Sequence, residues 1–244
     1  PMVNAGTDAG LTVDYAGSSV PQGSTPDVGA YEFLVPTPPA SLAQYKADGV
    51  SQIATGNTTI ETSVILKFTV SSSNATDSLA PQIEIQPVGT VFANTHNYSA
   101  DAVAYSGSPI TGSVSVAGLS NDSYHWQARS SNAAGNGSWI AYGDNEESSA
   151  DFIVDTDAPV ISLVSAAPAV TGAEITWTTD EDASSKVDYG LTEAYGLSTE
   201  EADTVVRVQN HTVTLAGLEP RTTYHYRVRS SDMGLQETVS TDFT

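Results

Sequence analysis

Val64, Leu66, Phe68 and Val70 alternate with Ile65, Lys67 and Thr69 in the run "VILKFTV". A period of two places alternate side chains on opposite faces of a strand, so one face of this run is apolar throughout. "AEITW" repeats the pattern with Ala173, Ile175 and Trp177 on one face and Glu174 and Thr176 on the other. Further alternating runs, "QIEIQPV", "GSVSVAGL", "SKVDYG", "HTVTLAGL" and "ETVSTDFT", are separated by clusters of Gly, Asn, Asp and Ser that favour turns. Helical patterns are confined to short stretches, Ser41 to Lys46 and Thr192 to Tyr195. Many short strands with few helices predict an all-β chain of antiparallel sandwiches. Two proline-bearing seams, "VPTPPAS" at 35–41 and "DTDAPV" at 155–160, interrupt the strands, because proline cannot extend a ladder. They divide the chain into a short segment, 1–34, and two blocks, 36–157 and 158–244.

The two blocks share a phrase. "AGLSNDSYHWQARSSN" (Ala117 to Asn132) aligns with "AGLEPRTTYHYRVRSSD" (Ala216 to Asp232) once a single residue is inserted in the second copy. Such self-similarity predicts two related domains of one fold. "LEPRTTYHYRV" resembles the corner between the fifth and sixth strands of a fibronectin type III domain. The resemblance covers essentially all of 159–244. It implies that Leu218 and Tyr224 are the corner leucine and tyrosine and that Trp177 is the buried tryptophan of the second strand. The middle block is similar to fibronectin-like or immunoglobulin-like modules of bacterial surface proteins. It departs from the pattern at Asp122, which replaces the corner proline, and at Phe68, which stands where a tryptophan is expected. It also carries an irregular stretch at about 87–112. In the short first segment, "PQGSTPDVGAYEF" resembles the closing coil of secreted right-handed parallel β-helix proteins. One such coil cannot bury its own apolar face, so this arm is expected to lean on a neighbour.

Charge narrows the range of partners. With 29 acidic against 8 basic residues the net charge is −21, which repels phosphate backbones and anionic lipid. Nucleic acid and membrane surfaces are therefore not expected partners. Cysteine is absent, which excludes disulfides, thiolate metal sites and cysteine nucleophiles. No apolar run reaches the ~18 residues of a membrane helix. The chain starts and stops without an obvious terminus, so a longer secreted precursor is expected. Six Asn-x-Ser/Thr sequons, at Asn57, Asn74, Asn97, Asn121, Asn136 and Asn210, arise readily in so polar a chain and mark acceptors only.

Within the repeat, alternation turns Tyr124, Trp126 and Ala128 toward the core and His125, Gln127 and Arg129 outward. In the second copy Tyr224, Tyr226 and Val228 oppose His225, Arg227 and Arg229. The histidines are thus expected on solvated faces of different domains, not around one metal. Each corner tyrosine is expected to return its hydroxyl to an upstream backbone group. Outward pairs are expected between Asp188 and Arg227 or Arg229, and between Glu84 and Arg129. Asp155 and Asp157 at the second seam, and Asp180, Glu181 and Asp182 in an expected loop, are the acidic runs in which calcium would find oxygen ligands. No nucleophile elbow, phosphate loop, zinc-protease or dinucleotide motif is present. Fibronectin type III modules precede some metallophosphatase catalytic domains, but no such domain follows in these residues. The sequence therefore predicts a non-catalytic structural or adhesive segment of a secreted bacterial surface protein. Its expected partners are copies of itself, other domains of its precursor, or extracellular polysaccharide. The alternative is a spacer attached to a carbohydrate-active β-helix enzyme.

Overall fold

The computed structural model describes residues 35–143 and 148–244. The first segment, 1–34, with its β-helix-like phrase, lies outside the described residues. The chain divides into two compact units between Val154 and Asp155. Both are β-sandwiches, and among the described residues no helix is long and apolar enough to cross a membrane.

In the N-terminal sandwich one sheet has the order β1-β3-β7, with β1 Ala40–Lys46, β3 Ser63–Val70 and β7 Ile110–Ala117. The other has the order β2-β11-β8-β4-β5: β2 Asn57–Thr59, β11 Phe152–Val154, β8 Asp122–Asn132, β4 Ser78–Pro87 and β5 Tyr98–Ser99. Three two-residue strands complete it: β6 Val103–Ala104 on β4, and β9 Gly135–Asn136 and β10 Ile140–Ala141 on β8. β2 runs parallel to β11, so the first part of the chain feeds both sheets. The apolar face read from "VILKFTV" is the core face, with Val64, Leu66, Phe68 and Val70 all fully buried.

The C-terminal sandwich packs a three-stranded sheet, β12-β13-β16, against a four-stranded one, β15-β14-β17-β18. The strands are β12 Ile161–Pro168, β13 Gly172–Ala183, β14 Lys186–Gly190, β15 Gly196–Ser198, β16 Val208–Ala216, β17 His225–Ser231 and β18 Glu237–Val239. All its pairings are antiparallel. Ile175, Trp177, Val187, Leu215, Tyr226 and Val228 form its separate core.

Three local expectations are corrected. Ser41 to Lys46 is strand β1 rather than helix, paired with β3 from Ala43↔Lys67 to Lys46↔Val64. Its inward positions include the fully buried Gln44, and that polar residue broke the apolar alternation by which strands are recognised. Thr192 to Tyr195 is a turn, closed by the Tyr195 amide donating to the Thr192 carbonyl at 2.8 Å. Asp180 to Asp182 belongs to the long strand β13, not to a loop.

Each core holds a buried tryptophan whose indole N–H is bonded across to the opposite sheet. In the C-terminal sandwich Trp177 on β13 donates to Ser230 Oγ on β17 at 2.9 Å. In the N-terminal sandwich the tryptophan has moved to β8, where Trp126 Nε1 donates to Gln44 Oε1 on β1 at 3.0 Å. Gln44 Nε2 donates in turn to the Asp151 carbonyl at 2.7 Å, and the Asp151 carboxylate accepts the Trp126 amide at 2.8 Å. Ser130 occupies the place equivalent to Ser230 in the repeat. Its hydroxyl is buried without a hydrogen-bond partner among the described residues. Phe68, which stands where the resemblance expects the second-strand tryptophan, carries no N–H to donate.

Ser230→Ala should therefore cost ~1–3 kcal/mol, because it strands the buried Trp177 donor. Ser130→Ala should be close to neutral, since the hydroxyl it removes has no bond to lose. Denaturant unfolding of both variants checks this, and equal losses would show that the indole bond is not what distinguishes the two positions.

Candidate functional site

The repeated strand places its residues as alternation predicts, but the two outer faces differ. Tyr124, Trp126, Tyr226 and Val228 are buried in the cores. Both corner tyrosines reach back upstream. The Tyr124 hydroxyl donates to the Ser120 carbonyl at 3.0 Å, and the Tyr224 hydroxyl accepts the Glu219 amide at 3.1 Å. Leu218 packs partly buried against the C-terminal core, and Trp177 is 2% exposed. His225 is partly exposed and bonds Asp242.

His125 does not face solvent. It is 3% exposed, because the irregular stretch after β4 folds over the outer face of β4 and β8. Phe92 stacks on its ring at a centroid distance of 4.2 Å, and its Nε2–H donates to the Thr90 carbonyl at 2.9 Å. Glu84 is fully buried under the same cover. The expected Glu84 to Arg129 pair is replaced, because the register sets Glu84 opposite Gln127 and Gln82 opposite Arg129. Glu84 accepts from Gln127 Nε2 at 2.8 Å and from the Ala93 amide at 2.6 Å. Arg129 Nε donates to Gln82 Oε1 at 2.7 Å, and its guanidinium lies 4.3 Å from the Trp139 ring centroid. Burial alone pushes the Glu84 carboxyl up. The bonds from Gln127, the Ala93 amide, Gln86 and the Asn94 amide bring it below the ordinary glutamate value. The carboxylate is thus a fastener for the covering loop.

On the C-terminal sandwich the expected ion pairs form. Arg227 Nε lies 2.8 Å and Arg229 Nη1 3.6 Å from the Asp188 carboxylate. Asp188 is buried rather than solvated. Burial pushes its carboxyl up, but Ser198, Arg227 and Arg229 hold it below the ordinary value. Inside the core His211 stacks on Trp177 at 4.8 Å, with Nε2 2.8 Å from Thr179 Oγ1 and Nδ1 2.7 Å from Ser185 Oγ. Burial lowers its pKa, and the nearby Asp203 opposes that shift. An open cleft of about 490 Å³ lies at the corner end of this sandwich, floored by Ile175, Leu215 and Tyr226 and rimmed by Glu219 and Arg221.

The acidic residues converge at the start of this unit. One carboxylate oxygen each from Asp155, Glu181 and Asp232 lies within 4.8 Å of the others. Asp155 is one of the two residues singled out in the sequence. Asp157 is not in the cluster; its amide donates to Asp155 Oδ1 at 3.2 Å, and its carbonyl accepts Gln236 Nε2 at 2.8 Å. Sequence reasoning missed Asp232, which lies far along the chain and arrives because the ends of β13 and β17 are joined. The Ser184 amide donates to the Ser231 carbonyl at 2.9 Å, and the Ser231 amide to Ser184 Oγ at 3.0 Å. The fully buried Asp232 is oriented by the Gln236 amide at 2.9 Å. Burial, and then the charges of Asp155 and Asp232, push the Glu181 carboxyl up to about 7. Three crowded carboxylates can be relieved by a shared proton or by a hard cation such as calcium, which takes oxygen ligands.

A second cluster joins a nitrogen donor to two carboxylates: Glu193, His225 and Asp242, again within 4.8 Å of one another. It lies on a different part of the same unit and was not singled out from the sequence.

Among known families, the model described as "Purple acid Phosphatase, N-terminal domain" matches residues 160–243. Comparison with curated proteins finds no match. Among solved structures, the FN1-FN3 domains of chicken CNTN1 are 16% identical, cover 85% of this chain and give a TM-score of 0.41. One titin fragment is 15% identical over 84% of the chain with a TM-score of 0.45. An I-band titin fragment is 13% identical over 86%, with a TM-score of 0.47. This chain spans 64% of the length of each of these structures.

Two predictions follow from the geometry. Tyr124→Phe should cost about 1 kcal/mol, measured by denaturant unfolding, from loss of a bond to the Ser120 carbonyl; Tyr224→Phe, whose hydroxyl sits at a more open corner, should cost less. The folded state binds the Glu181 proton more tightly than the unfolded chain does, with a pKa of about 7 against the ordinary 4.5. The stability this contributes is complete below about pH 4.5 and is lost as pH rises through about 7. In calorimetry Glu181→Gln should flatten the decline of the C-terminal transition across that window, and a profile parallel to wild type would refute the assignment.

Proposed function

We propose that this chain is a non-catalytic spacer and attachment segment of a secreted bacterial surface protein, made of sandwich modules that hold other parts of the assembly apart. The observation that supports this most is where the buried polar groups are used. Trp126, Gln44 and Asp151 in one core, and Trp177 and Ser230 in the other, are bonded from sheet to sheet. The buried Glu84 fastens a loop, and the buried Asp188 anchors two arginines. In each case a side chain with reactive potential is consumed in bracing its own module. The net charge of −21 suits a surface bathed in solvent and cations.

Copies of the chain are the first partner. Residues 1–34, whose sequence resembles a lone β-helix coil that cannot bury its own apolar face, are to be accepted by a neighbour at a sheet edge, and head-to-tail contacts of that kind propagate into filaments. Extracellular polysaccharide is the second partner class, consistent with the polar loops.

A second reading makes these modules accessories of an enzyme whose catalytic part lies elsewhere in the precursor. The match of residues 160–243 to a domain named for its N-terminal place in a phosphatase favours it. The resemblance of the first segment to a β-helix coil points instead to a carbohydrate-active partner.

Antibody labelling of intact producing cells, before and after protease shaving, is expected to find the chain outside the cell; confinement to the cytosol would overturn the proposal. Light scattering of the full chain beside a variant lacking 1–34 tests the assembly step. Loss of large species on deletion is expected, and an unchanged size would remove self-association through that arm.

A further inference from the structure

We propose that Glu193, His225 and Asp242 form a zinc site on the C-terminal sandwich. Each ligand is placed by a separate backbone constraint. His225 opens β17 directly across from Gly190. Gly190 also pairs with Gly196, and a Cβ on it would lie 1.5 Å from the Tyr195 carbonyl oxygen, so only glycine admits this tight turn. That turn presents Glu193 and Tyr195 beside the histidine. Asp242 comes from the last residues of the chain, which are fixed by a reciprocal pair of bonds between Tyr226 and Phe243, at 2.9 and 2.8 Å.

The donor set defines the metal class. One imidazole nitrogen and two carboxylate oxygens suit zinc, whereas calcium and magnesium prefer oxygen alone. Tetrahedral bonds of ~2.0 Å put ligand atoms about 3.3 Å apart, so donors within 4.8 Å need only small side-chain adjustments. His225 Nδ1 already lies 2.8 Å from Asp242 Oδ2. The Arg227 guanidinium near this turn lies 4.7 Å from the Tyr195 ring centroid and is engaged by Asp188 through its Nε. The partly exposed position leaves open coordination for water or for a ligand from another molecule.

Zinc titration of the chelator-treated full chain, followed by calorimetry at about pH 7.5, tests the site. Saturable one-to-one binding is expected. Glu193→Gln, on an exposed turn where folding is not at stake, and His225→Ala should each weaken it by about tenfold or more. Glu181→Gln, in the other cluster, should leave it unchanged, and excess calcium should not displace the metal. Absence of saturable binding, binding unmoved by both Glu193→Gln and His225→Ala, loss on Glu181→Gln, or displacement by calcium would each overturn the proposal.

Discussion

A buried indole N–H has to be paired, and in both sandwiches the partner is found on the opposite sheet. An unpaired buried donor costs ~1–3 kcal/mol, a large fraction of a domain's net stability. Apolar contact between two sheets tolerates sliding, whereas an N–H bonded to one particular oxygen does not. Trp177 to Ser230 and Trp126 to Gln44 therefore fix how the sheets face each other. The two modules meet this constraint with different residues. Where the N-terminal sandwich carries Phe68 in place of the second-strand tryptophan, it retains the serine but loses the bond. Its bridge has been rebuilt one strand away with Gln44 and Asp151.

The same comparison explains why the outer faces diverged. In the C-terminal sandwich Arg227, Arg229 and Glu237 form an ion-paired surface in which the two arginines hold the buried Asp188 carboxylate. In the N-terminal sandwich the stretch after β4 lies over that face, and His125, Gln127 and Glu84 become interior residues. A charged group survives there because four hydrogen bonds replace the water that Glu84 has lost.

What could be read from the chain follows from what is local. Val64 to Val70 and Ala173 to Trp177 declare strands through neighbours two apart, and the repeat locates the corner tyrosines without any structure. Gln44 was hidden because a polar residue at an inward position imitates an outward one. His125 and Glu84 were misplaced because alternation identifies the two faces of a strand but not what covers the second. Asp232 and Asp242 were missed as partners of Asp155 and His225, since nothing in a one-dimensional pattern encodes the meeting of distant strand ends. Asp157 was drawn in by its nearness to Asp155 in the sequence; it stands outside the three-carboxylate group, and its carbonyl accepts Gln236 Nε2.

The central claim is that each sandwich is an independently braced module. Pulling the full chain by its ends in single-molecule force spectroscopy tests it most directly. The account predicts two separate unfolding steps, the C-terminal one releasing roughly 300 Å of chain at ~3.3–3.6 Å per residue. A single step releasing both modules together, or gradual extension without resistance, would contradict it.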